Sequence, residues 1–145
     1  MLTAVVLLMA MAGCAPAFWQ GVSQGLAASS NTPGVAVPKL MVFGGPGHQT
    51  YLGCLSCSGY DSESVFNDYG PHGGPYSVNS IHNPYGQFGS AYSIYGACNP
   101  FASDPPVIVD ERGNFYGRLT VNRFHPQASR DNQILSWLEQ VVCKK

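Results

Sequence analysis

Four cysteines offer the most chemistry in this chain of 145 residues: Cys54 and Cys57 in a Cys-x-x-Cys pair, then Cys98, then Cys143. A redox-active pair of this spacing belongs at a helix N-terminus, where the thiolate is stabilised. Here it sits in strand-like sequence. The four together could ligate zinc. With Cys14, the fifth cysteine, set aside, four remain, and an even number in a small exported chain points instead to structural disulfides. Cys54 and Cys57, three apart on one expected strand, would face opposite ways. That leaves each to pair with Cys98 or Cys143, and the preferred pairs are Cys57 with Cys98 and Cys54 with Cys143.

Other reactive groups are sparse. Gly21-Val22-Ser23-Gln24-Gly25 matches a nucleophile elbow, but that motif needs a strand before it and a large α/β sheet around it. Asp61, Glu63 and Asp110 are the acids an enzyme acting on cell-wall or polysaccharide material would use. No pair among them has the spacing of a glycosidase dyad. Asp61, Glu63 and Asp68 suggest loose calcium binding, without the glycine of an EF-hand loop. His48, His72, His82 and His125 show no ligand spacing and are expected mostly at the surface. No cofactor and no metal site is expected.

The elements that must position these groups are dominated by a repeat. Sixteen residues are read three times, as residues 59–74, 75–90 and 91–106. Tyr60, Tyr76 and Tyr92 fall in register, as do Asn67, Asn83 and Asn99, and Tyr69, Tyr85 and Phe101. A fixed period means one small unit copied. Asn83-Pro84-Tyr85-Gly86 suits a type I turn. Val65, Ile81 and Ala97 share a register expected to point inward. Ser64 and Ser80 can bond nearby backbone. The third copy departs from the pattern, with Cys98 where the others carry Phe66 and His82.

Two similar segments bracket the repeat. Tyr51-Leu52-Gly53-Cys54-Leu55 precedes it and Phe115-Tyr116-Gly117-Arg118-Leu119 follows it. Each comes after an apolar run and a glycine-bearing loop, the pattern of a β-hairpin. The two hairpins are expected to pair into one small sheet. Ile134, Leu135, Leu138, Val141 and Val142 then recur at helical spacing, with Asp131 or Ser129 as cap. The fold class is β-rich α+β: two short hairpins around turns and coil, one C-terminal amphipathic helix, stapled by disulfides.

Composition narrows function. Charged residues make up 10% of the chain and the net charge is −1. No basic block marks a nucleic-acid binder. From Met41 to Glu111 there are six acids and no Lys or Arg. Residues 3–13 form an apolar run too short to span a bilayer and suited to a secretory signal. Met11-Ala12-Gly13-Cys14 resembles a lipobox, making Cys14 the lipidated first mature residue. A cut after Ala15-Pro16-Ala17 is the competing reading. Residues 1–13 are thus a leader, 14–38 an anchor segment and linker, and 39–145 a single domain.

The motifs Tyr-Leu-Gly-x-Leu, Ser-[Val/Ile]-x-Asn-x-Tyr-Gly and Pro-Pro-Val-Ile-Val-Asp-x-x-Gly-x-Phe-Tyr-Gly resemble a family of small uncharacterised exported bacterial proteins. The similarity spans about residues 40–143 and implies no activity. What remains is an expectation of a non-enzymatic envelope lipoprotein, periplasmic, outer-membrane-associated or on the cell surface. It would be held to the membrane through Cys14 and act as an accessory or binding module for an envelope protein or a glycan. The expected contact surface is Tyr76, Tyr85, Phe88, Tyr92 and Tyr95, because tyrosine among Ser, Gly and Asn gives contact area at low entropic cost.

Overall fold

The computed structural model describes residues 37–144; the expected leader, Cys14, the Gly21–Gly25 motif and nearly all of the expected linker lie outside them. Four short strands form one antiparallel sheet. β1 (Met41–Gly44) and β2 (Thr50–Cys54) make the first hairpin, and β3 (Val107–Val109) and β4 (Phe115–Arg118) the second. Their spatial order is β2-β1-β3-β4, so the hairpins join through their first strands. At the join Val42 faces Ile108, both fully buried. Apolar alternation along β1 buries one face, as expected of an antiparallel sheet with one covered side.

Each hairpin bends at a glycine in its second strand. Gly53 has φ 122° and Gly117 φ 106°, which only glycine adopts without strain. Both also admit a close crossing of chain. A Cβ on Gly53 would lie 2.8 Å from Val65 Cγ1, and one on Gly117 would lie 2.6 Å from Ser129 Cα. Beside Gly53, Cys54 N donates to Glu63 O (2.7 Å) and Val65 N to Cys54 O (3.1 Å). Beside Gly117, Arg118 N donates to Gln127 O (2.7 Å) and Ser129 N to Arg118 O (2.9 Å).

This correspondence holds at a shift of 64 positions, four lengths of the sixteen-residue period. Tyr60 N donates to Ser58 Oγ as Phe124 N donates to Asn122 Oδ1. Asp61 N bonds Ser58 O as His125 N bonds Asn122 O, and Ser64 N bonds Asp61 O as Ala128 N bonds His125 O. Even Asp131, the helix cap, stands where Asn67 stands and accepts from the amide two residues on in the same way.

Between the hairpins the chain runs as successive turns, and its inward column is Val65, Ile81 and Ala97, all buried. The neighbouring column faces the C-terminal helix. Phe66 and His82 lie 4.9 and 5.8 Å from the Trp137 ring, centroid to centroid, and Cys98 is bonded to Cys143. That helix, α1 (Asn132–Trp137), is capped by Asp131, which accepts from Gln133 N and Ile134 N. It continues as a wider π turn (Leu138–Val142), closed by Cys143 N on Leu138 O (2.9 Å). Widening the turn changes which side chains face inward. Leu135, Leu138 and Val142 are buried, whereas Val141, expected on the same stripe, is 53% exposed and Trp137 takes up core contact instead.

The disulfides correct the expected pairing. They join Cys54 to Cys57 and Cys98 to Cys143, not Cys57 to Cys98 and Cys54 to Cys143. The reason is local. β2 stops at Cys54, and residues 55–57 bend, bringing the two Cα atoms to 5.5 Å. Alternation along a strand therefore does not apply to the pair. Leu40 N donates to Ser56 Oγ (2.9 Å) and Leu55 N to Leu40 O (2.8 Å), fixing the bend against the chain entering β1.

Candidate functional site

The three asparagines of the repeat make the same two side-chain bonds. Each Oδ1 accepts from the backbone N–H two residues on: Tyr69, Tyr85 and Phe101, at 2.9–3.0 Å. Each Nδ2 donates to the carbonyl six residues back: Asp61, Ser77 and Ser93, at 2.9–3.1 Å. The backbone closes each turn too, with Gly70, Gly86 and Ala102 N–H groups on the asparagine carbonyls. Asparagine suits this role because its short amide carries both a donor and an acceptor. Serines repeat a simpler version. Ser64, Ser80, Ser90 and Ser93 accept from the N–H two residues on.

These turns carry rings outward. Tyr60, Tyr69, Tyr76, Tyr85, Tyr92, Phe101 and Phe124 are all 86–101% exposed. Of the expected contact residues, Tyr76, Tyr85 and Tyr92 are among them. Phe88 is not: it is buried in the core, beside Gly44 and Gly45 of the first hairpin. Tyr95 is partly buried against the same core. Both lie off the two outward registers. Tyr60, Tyr69 and Phe101 share registers with the exposed tyrosines, so the period itself could have added them. Phe124 was hidden outside the three copies; its signal is Asn122-x-Phe124, the same short turn as Asn67-x-Tyr69.

Tyr85 and Tyr92 line one open groove of about 400 Å³. Its lining includes Gly89, Ala91 and the Cys98–Cys143 disulfide, and no charged residue takes part. A Cβ on Gly89 would meet Asn83 O at 2.4 Å, so the turn itself keeps the lining small there.

Asp61, Glu63 and Asp110, the acids named from sequence as possible enzyme groups, are engaged in structure. Asp110 Oδ1 accepts from Arg112 N and Asn114 N, and Oδ2 from Asn114 Nδ2 and the Tyr116 hydroxyl. Those bonds, led by Asn114, hold its carboxyl down at about 2. It braces the β3–β4 loop. Glu63 pairs with Lys39 (2.8 Å), which lowers the Glu63 pKa, while Asp61 Oδ1 caps Glu63 N. Asp104 meets His48 Nε2 at 2.7 Å and Arg118, and Arg118 also donates to Pro105 O (2.8 Å). Burial works to raise the Asp104 pKa, but these partners outweigh it and the net shift is down. This cluster ties the β1–β2 loop to the end of the repeat and to β4.

The histidines are less exposed than expected. His48, His72 and His125 are half-buried, and His82 is buried with Nε2 donating to Val65 O (2.8 Å). Both disulfides use the four sulfurs that a zinc site would need. Among the described residues no group of three or more His, Cys, Asp or Glu is arranged to hold a metal ion. No helix among them is long and apolar enough to cross a membrane. No protein-family model, no curated protein and no solved structure matches the chain.

Proposed function

We propose that this protein is a non-enzymatic binding or accessory module of a bacterial envelope, exported and tethered through Cys14, that meets its partner with the outward rings of the repeat. The supporting observation is the exposure of Tyr60, Tyr69, Tyr76, Tyr85, Tyr92, Phe101 and Phe124 on turns fixed by side-chain bonds. Large rings so fully exposed bury little in the fold, and contact surfaces concentrate energy in such residues. The two disulfides are compatible with an oxidising compartment outside the cytoplasm.

The test separates tether from surface. Cys14→Ser should move the protein from the membrane to the soluble fraction, since an acyl chain supplies the membrane affinity. Purified and added back to isolated envelopes at high concentration, that soluble form should sediment with them through its rings alone, and Tyr85→Ala with Tyr92→Ala should abolish this sedimentation without lowering the melting temperature. Equal sedimentation with and without the two rings would end the proposal.

A further inference from the structure

We infer that the groove between Tyr85 and Tyr92 binds an uncharged polysaccharide, one sugar ring lying against the tyrosines over the disulfide-bearing lining. This rests on the proposed binding role and names its ligand. The first observation is charge. From Tyr69 to Ser103 the chain has no Asp, Glu, Lys or Arg, and five of the seven exposed rings lie in that stretch. No lining residue of the groove is charged. An acidic glycan would find no cation from Met41 to Glu111. An anionic membrane surface would face six acids there and no base to attract it. A protein partner is oriented by complementary charge, and this stretch offers none.

The second observation is shape and chemistry. A sugar ring presents flat clusters of weakly positive C–H groups on its faces and hydroxyls around its rim. The negative face of an aromatic ring attracts the first, and a tyrosine hydroxyl can bond the second. Tyr85 and Tyr92 are 90% and 93% exposed, leaving their ring faces open to such contact. The groove volume falls in the range of about 300–1,000 Å³ usual for small-ligand clefts. Cys98 of the third copy is part of this lining. That copy puts Cys98, bonded to Cys143, where the earlier copies place the rings of Phe66 and His82.

The experiment titrates the full chain carrying Cys14→Ser with cellohexaose, with the hexamer of β-1,4-linked N-acetylglucosamine, and with polygalacturonate as an acidic control. Tyrosine fluorescence and calorimetry report binding. At least one neutral oligosaccharide should bind and polygalacturonate should not. Tyr85→Ala and Tyr92→Ala should each weaken binding about 30-fold, the equivalent of a hot-spot loss of about 2 kcal/mol, with the melting temperature held. Tyr85→Phe should keep most of the affinity, because the ring face remains. No binding of either neutral oligosaccharide at millimolar concentration overturns the inference. So does equal binding of polygalacturonate, or neutral binding that both alanine variants leave intact. If neutral sugars fail but envelope sedimentation still depends on the two tyrosines, the glycan is wrong and the binding role stands.

Discussion

The sheet and the repeat solve the same problem with different groups. In the sheet, backbone pairs with backbone along β2-β1-β3-β4, and side chains only choose a face. In the repeat, Asn67, Asn83 and Asn99 each satisfy two backbone groups, and the serines satisfy more. A ladder tolerates many residue types at a given position. A turn held by a side-chain amide does not. The difference teaches that a position's tolerance to change follows from who supplies its hydrogen bonds. The aromatic residue two positions after each asparagine is held through its own backbone N–H, which frees its side chain for contact.

The comparison is broken most strongly through the cross-links. Cys98–Cys143 encloses a 45-residue separation and Cys54–Cys57 one of 3. Chain entropy then assigns about 4 kcal/mol to the first and about 2 kcal/mol to the second. Denaturant unfolding of Cys98→Ser/Cys143→Ser should show the larger loss. A larger loss for Cys54→Ser/Cys57→Ser would mean that the bend beside β2, not the repeat–helix staple, governs stability.

The inward column comes next. Ile81 is buried in the core, and Ile81→Ala should cost about 2–5 kcal/mol through lost burial and a residual cavity. Urea melts measure it directly. A cost under about 1 kcal/mol would say the repeat collapses around the gap and has no fixed core of its own.

Acid should sharpen the contrast between loops. Asp110 is held at about 2, below its ordinary value of 3.8, and Asp104 is also lowered. A lowered carboxyl stabilises the fold above its ordinary pKa, and that contribution is lost as pH falls through the folded value. Stability should therefore drop between about pH 4 and pH 2. Asp110→Asn should flatten part of that decline in melts taken across the range. An unchanged acid limb would show that Asp110 does not brace the β3–β4 loop as its four bonds suggest.

Much of this architecture was legible because it rests on local patterns. The two aromatic-x-Gly-x-Leu segments announced the paired hairpins, and the sixteen-residue period placed Val65, Ile81 and Ala97 inward. What failed depended on where an element ends. Strand alternation misled on Cys54 and Cys57 because β2 stops at Cys54 and the next three residues bend. Helical spacing misled on Val141 because the helix widens into a π turn at Leu138. Phe88 looked like one more repeat ring, but its register faces the hairpin rather than solvent. The likeness around Gly53 and Gly117 was legible, but its extension at the same 64-residue shift to the turns that follow was not, because it is written in hydrogen bonds. Ser58 and Asn122 play one role there with different side chains.

The most direct test compares two neighbours in one turn, Asn83→Ala and Tyr85→Ala. Asn83 loses two hydrogen bonds, about 1 kcal/mol each. At about 4–8 °C per kcal/mol for a domain of this size, thermal unfolding should shift down by roughly 8–16 °C. Tyr85 buries almost nothing, so its variant should melt within about 4 °C of the parent, a surface effect under about 0.5 kcal/mol. A Tyr85→Ala loss as large as that of Asn83→Ala would contradict the account, because the ring would then be holding the fold rather than facing a partner.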